Sequence, residues 1–197
     1  MKKFEYKVIT IPTNISFSTK GGRMRNNIGK IFLCSVIICV IVATFLCFNG
    51  DIGIPKSKIQ SDIRTSQKIQ TEWSIEGMAS ETMAAYISYP QDKSDHTFSV
   101  YVNRPGISFG YFFRGGGDLV AVDKYISEFT VDGCNERAFI SMNLQKINRL
   151  EIDDGNNIEL LEINSETPFA IVLPVNAGNI TFYNIDGEVV EFVNNPL

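Results

Sequence analysis

The chain has 197 residues, room for one domain of ordinary size, and its formal charge of −4 is the sum of two opposed parts. Residues 1–30 carry seven basic side chains against Glu5 alone, a net of +6, whereas from Asp51 onward 11 basic residues face 21 acidic ones, a net of −10. The acidic body excludes nucleic acid as a partner, because a phosphate backbone is held by concentrated Lys and Arg, and the single histidine excludes a multi-histidine zinc site.

Residues 1–30 read as a basic cytoplasmic tail without fixed structure. Lys3 to Thr10 alternates like a strand, but an isolated strand is unstable. Met24 offers a second translation start just before the apolar run that follows.

Residues 31–48 carry no charge, and their polar members are Ser35 and Thr44. As a helix this run reaches about 27 Å, close to the roughly 30 Å hydrocarbon layer. It is therefore expected to be a transmembrane helix with the lipid bilayer as its partner. Lys20, Arg23, Arg25 and Lys30 precede it, which places the N-terminus in the cytoplasm and the rest of the chain outside. A cleaved secretory signal competes with this reading. The run is longer than an ordinary signal core and ends Phe-Leu-Cys-Phe-Asn-Gly, without a small-x-small site, so an uncleaved signal-anchor is expected. Ser35, Cys39, Ala43 and Cys47 recur every four residues. Such a stripe of small side chains lets two membrane helices approach closely, and a homodimer packed through it is a further expectation.

Residues 49–70 are polar and broken by Gly50, Gly53 and Pro55. Ile59, Ile63 and Ile69 weakly mark one side of a helix, but a juxtamembrane spacer is the simpler reading.

Residues 71–197 form the expected extracytoplasmic domain, with short period-two runs separated by turn chemistry. Ser80 to Tyr89 begins as a helix capped by Ser80 or ends as a strand over 84–89, and Pro90 stops either one. Phe98, Val100 and Val102 share one strand face, with Ser99 and Tyr101 on the other. After the turn Asn103-Arg-Pro-Gly106, a second apolar face holds Ile107, Phe109, Tyr111 and Phe113, and Arg114-Gly-Gly-Gly-Asp118 reads as a turn or open loop. Further strands are expected at 119–131, with a bulge where the apolar parity changes, and at 137–142, 147–152, 158–163, 169–173, 179–184 and 188–193. Asp186-Gly187 between two apolar runs is the clearest hairpin signal. Many short strands with brief turns predict an all-β fold, an antiparallel β-sandwich or a partly closed β-barrel.

The chemistry-bearing residues are sparse. His96 sits in a polar segment and reads as a solvated turn. Cys134 is the one cysteine after the apolar run, so no internal disulfide is available to the domain. The Arg114-Gly-Gly-Gly117 stretch lacks the Gly-Lys-Ser/Thr ending of a phosphate loop. Asp153-Asp-Gly-Asn-Asn157 with Glu159 offers oxygen ligands without EF-hand spacing, and paired carboxylates such as Asp118 and Asp123 are not by themselves a glycosidase pair. No catalytic residue, cofactor or metal is expected. Arg104 and Arg114 bracket one strand and, with Tyr111, form the candidate binding surface. The expected function is a membrane-anchored extracytoplasmic binding or assembly module for a protein or surface polymer. The alternative is a membrane-tethered enzyme acting on an anionic substrate near Arg104 and Arg114.

Overall fold

The computed structural model describes residues 21–48, 50, 52–104 and 109–197, without the side chains of 21–28, 46–48 and Val120. The strand-like alternation of Lys3 to Thr10 and the turn at Pro105-Gly106 lie outside the described residues. The chain divides into two units, 1–45 and 46–197.

Helix α1 runs Gly21–Phe48 and contains the uncharged stretch, so helix forms where helix is expected. The membrane span does not stand. Among the described residues no helix is long and apolar enough to cross a membrane. The single-pass topology, the signal-anchor, the bilayer as partner and the extracytoplasmic placement of the domain all rested on that span and are withdrawn with it. Ser35, Cys39 and Ala43 do share one side of α1, all exposed, and the side chain of Cys47 is not described. The dimer argued from lipid-embedded packing of this stripe loses its warrant.

The second unit is all-β, and among its described residues there are three four-stranded sheets, none of them closed into a barrel. In the first sheet β1 (Ser74–Ala79), β2 (Met83–Tyr89), β3 (Thr97–Asn103) and β4 (Tyr111–Gly117) pair in chain order, each antiparallel to the next. β1 is absent from the strands expected. It lies so close to β2 that a Cβ on Gly77, whose φ is +149°, would meet the Ala85 carbonyl oxygen at 2.1 Å, so only glycine fits there. Between β4 and the next strand, residues expected to begin the strand over 119–131 instead form a helical turn, α3 (Val120–Lys124).

The middle sheet has the order β12 (Phe192–Pro196), β5 (Ile126–Thr130), β6 (Glu136–Ser141), β9 (Phe169–Pro174). Covered on both faces, this sheet has strands that read as near-continuous apolar runs, such as Ala138-Phe-Ile140 in β6 and Phe169-Ala-Ile-Val-Leu173 in β9. The third sheet has the order β11 (Val189–Val190), β10 (Asn179–Asn184), β7 (Ile147–Asp153), β8 (Ile158–Glu162). The last expected strand, 188–193, is split at Glu191. β11 closes the Asp186-Gly187 hairpin with β10, whereas β12 crosses to the middle sheet and runs parallel to β5.

Alternation along the middle strands creates two cores. Ala138, Ile140, Phe129 and Val172 face the first sheet's Met83, Ala85, Ile87 and Val100, with Phe98 stacked on Phe129 at 4.5 Å between centroids. Phe139 and Ile126 face the third sheet's Leu150, Ile152 and Phe182, and the Phe139 ring lies 5.3 Å from both Phe182 and Phe192.

The other face of the first sheet is covered by the stretch that reads as a spacer. Helix α2 (Ile59–Ser66) places Ile59 and Ile63, four apart and fully buried, against Ala84, Tyr86, Tyr101 and Tyr111. The Tyr101 hydroxyl donates to Asp62 Oδ2 at 2.8 Å, and Gln67 Nε2 donates to the Phe98 carbonyl at 3.2 Å and to Ser99 Oγ. Upstream, Ile54 and Tyr111 exchange backbone hydrogen bonds at 2.8 Å each, so 52–54 lies along the outer edge of β4.

Candidate functional site

A cavity of about 580 Å³ opens at one end of the first sheet. Five separate stretches line it: Lys56 from the helical turn Lys56–Lys58, the β1–β2 connection Ser80-Glu81-Thr82, Val102 to Arg104 at the end of β3, Tyr111 at the facing end of β4, and Gly133-Cys134-Asn135 between β5 and β6.

The β1–β2 connection is held by its own side chains. Ser80 Oγ accepts the Met83 N–H at 2.9 Å and the Thr82 N–H at 3.1 Å, the local bonding by which serine competes with helix formation. The cap expected at Ser80 thus serves a tight β-connection. The Ser80 and Thr82 hydroxyls both donate to Glu136 Oε2 at the start of β6, tying the first sheet to the middle one. Asn103 donates through Nδ2 to the Glu81 carbonyl at 3.0 Å.

Buried Tyr111 donates its hydroxyl to the Ser80 carbonyl oxygen, which Lys56 Nζ also approaches at 3.5 Å. Burial, then the charges of Glu136, Tyr86 and Glu81, push the Tyr111 phenol above its ordinary pKa, so it stays a neutral donor. The Arg104 guanidinium lies 4.1 Å over the Phe112 ring, a cation–π contact that fixes its direction at the cavity mouth. Half-buried Cys134 meets the Thr82 hydroxyl with Sγ at 4.0 Å, not an imidazole: His96 precedes β3, whose far end, Asn103, is about 20 Å away at 3.3 Å per strand residue.

Of the three expected binding residues the fold unites Arg104 and Tyr111. Arg114 stands apart, exposed, at the β-bulge where Val100 pairs with Gly115 and Tyr101 with Phe113; the open loop expected there is strand. Lys56, Ser80, Thr82, Asn103 and Asn135 were missed. Each is an ordinary turn residue in sequence, and only the packing of the first sheet on the middle one brings them together.

A second polar cluster overturns the solvated-turn reading of His96. This side chain is 3 % exposed, and its Nδ1 lies 3.0 Å from Asp123 Oδ1. Its Nε2 accepts the Leu119 N–H at 3.4 Å and lies 3.5 Å from Asp118 Oδ1. The imidazole therefore fastens α3 and the residue before it to the end of the first sheet. At Asp153 to Asn157 the carboxylates are engaged by their own turn: Asp154 Oδ1 accepts the N–H groups of Asn156 and Asn157 at 2.7 Å each. Those backbone bonds hold the Asp154 carboxyl below its ordinary pKa. Among the described residues no group of three or more His, Cys, Asp or Glu is arranged to hold a metal ion.

No family model, curated protein or solved structure matches the chain.

Proposed function

We propose that the 46–197 unit is a ligand-binding β module and that the cavity between Lys56, the β1–β2 connection, Arg104 and Cys134 is its ligand seat. The observation that carries this is the convergence of five chain stretches on one concave space, with polar groups of both kinds beside the apolar side chain of Val102. Pockets of this kind, a few hundred Å³ with a small number of placed polar groups, are where small ligands are held. The scaffold is rigid where it matters, because Glu136 locks the β1–β2 connection and Phe112 supports Arg104.

The test is a titration of the full ¹⁵N-labelled chain with phosphate, succinate, amino acids and monosaccharides, followed by amide shifts. Saturable shifts grouped at Thr82, Asn103, Cys134 and Asn135 are expected. Shifts confined to the third sheet, or no saturable shifts, would remove the assignment.

A further inference from the structure

We infer that the ligand of this cavity presents an anionic group, a carboxylate or phosphate, to Lys56 and Arg104, and that its binding fastens the 52–58 segment to the first sheet. The inference rests on the cavity being the ligand seat.

Charge placement is the first argument. The chain from Asp51 onward has a net charge of −10, yet the cavity wall carries Lys56 and Arg104 against the single carboxylate of Glu81. Glu136 stands behind the wall, its Oε2 accepting the Ser80 and Thr82 hydroxyls, and its charge reaches the cavity at Tyr111; of the side chains that line the cavity itself, two are cationic and one is anionic. An acidic domain that collects two cations at one opening concentrates there the field that attracts an anion. The donors differ in kind. Arginine offers a planar fork suited to two oxygens, and its contact with Phe112 pre-orients that fork. Lysine is a mobile point charge, and the hydrogen bond recorded for Lys56, 3.5 Å to the Ser80 carbonyl, is long, which leaves its ammonium able to turn to a ligand.

Connectivity is the second argument. Lys56 directly follows the stretch in which Gly53 N–H donates to the Phe109 carbonyl and Ile54 pairs with Tyr111. Arg104 ends the adjoining strand pair. An anion bridging the two cations joins the segment and the sheet through itself, so ligand binding and segment docking support one another by linkage.

The experiment uses the full chain, with inorganic phosphate and, separately, succinate as probes, read by isothermal titration calorimetry at low salt and by hydrogen exchange. At least one anion should bind saturably, at least ten-fold more weakly in Lys56→Gln and in Arg104→Gln, and unchanged in Arg114→Gln. Affinity should fall with added sodium chloride, and the amides of Gly53 and Ile54 should exchange more slowly with the anion present. Phosphate alone or succinate alone giving this pattern identifies which anion is read. If Arg104→Gln melts early, Lys56→Gln decides, because that side chain is exposed. If glucose or another neutral compound shifts Thr82 and Cys134 while neither anion does, the anionic class is wrong and the seat stands. If nothing tested moves those amides, both readings fall.

Discussion

Tyr101 shows what a single side chain contributes. Its ring is fully buried beneath α2 and its hydroxyl meets Asp62. Burial, and then the hydrogen bond and charge of Asp62, push its pKa well above the ordinary 10.0. Tyr86, Tyr89 and Tyr111 are shifted the same way, burial being the largest cause in each. In the unfolded chain these phenols lose protons near 10, whereas the folded chain keeps them to higher pH. Above pH 10 the unfolded state therefore binds fewer protons, so stability is complete below that value and is lost as pH climbs toward the folded-state values. Thermal melts should be insensitive to tyrosine ionisation up to about pH 9 and fall steeply beyond about pH 10. Tyr101→Phe should cost about 1–2 kcal/mol at pH 7 through the lost bond to a carboxylate, and should flatten the alkaline fall. An equal fall in the variant would show that Tyr101 is not its source. His96 makes the complementary point: its burial follows from Asp118 and Asp123, more than twenty positions later, a relation that no local pattern displays. His96→Ala should cost about 1–3 kcal/mol and speed exchange of the Leu119 amide, which then lacks its acceptor.

Elements were legible where local chemistry and tertiary use agree. The β10–β11 hairpin is an example: Gly187 takes φ +81°, and Asn184 Oδ1 accepts the N–H groups of Asp186 and Glu188 at 3.0 and 2.9 Å, so its turn is specified by its own residues. Helix α2 is the opposite case. It has 8 residues, an N-cap residue, Lys58, that makes no side-chain cap bond, and two isoleucines as its buried positions, too little to persist alone. It exists because Ile59 and Ile63 complete a face formed by Ala84, Tyr86 and Tyr101. The same holds at 120–124, the start of the strand expected over 119–131, which forms a helical turn whose Val122 enters the first core. Ile63→Ala should cost about 2–5 kcal/mol, the range for truncating a large buried aliphatic side chain, measured by urea denaturation. Ile69, half-buried at the edge of the same cluster, should tolerate alanine at roughly half that cost. Equal costs would mean that α2 docks less specifically than its burial implies.

At the scale of the whole molecule, three layered sheets explain both what could be read and what could not. The all-β class follows from strand length and turn spacing. Layering depends on which face each strand shows to which neighbour, and the cavity depends on layering, so Arg104 and Tyr111 were found as strand-end residues while Lys56, Thr82 and Asn135 were not. The C-terminal strand carries the clearest consequence. After Glu191 the chain leaves the third sheet, and β12 pairs with β5 in parallel register from Phe192 opposite Ile126 to Pro196 opposite Thr130. Phe192 packs edge-on against Phe139 at 5.3 Å and Phe182 at 6.4 Å. Leu197 donates its N–H to the Thr130 carbonyl at 2.9 Å and lays its side chain where a Cβ on Gly115 would stand, 2.8 Å away. One five-residue strand thus edges the middle sheet, adds a ring to the second core and reaches the first sheet. Removing residues 192–197 exposes the β5 edge and opens that core together, so the denaturation midpoint should drop by far more than for deletion of Leu197 alone. Phe192→Ala, which spares the ladder, should fall between them at about 2–3 kcal/mol, below the usual cost for a fully buried phenylalanine because this ring is half-buried. If the six-residue truncation instead melts like the native chain, β12 is peripheral, and the middle sheet is complete with β5 as its edge.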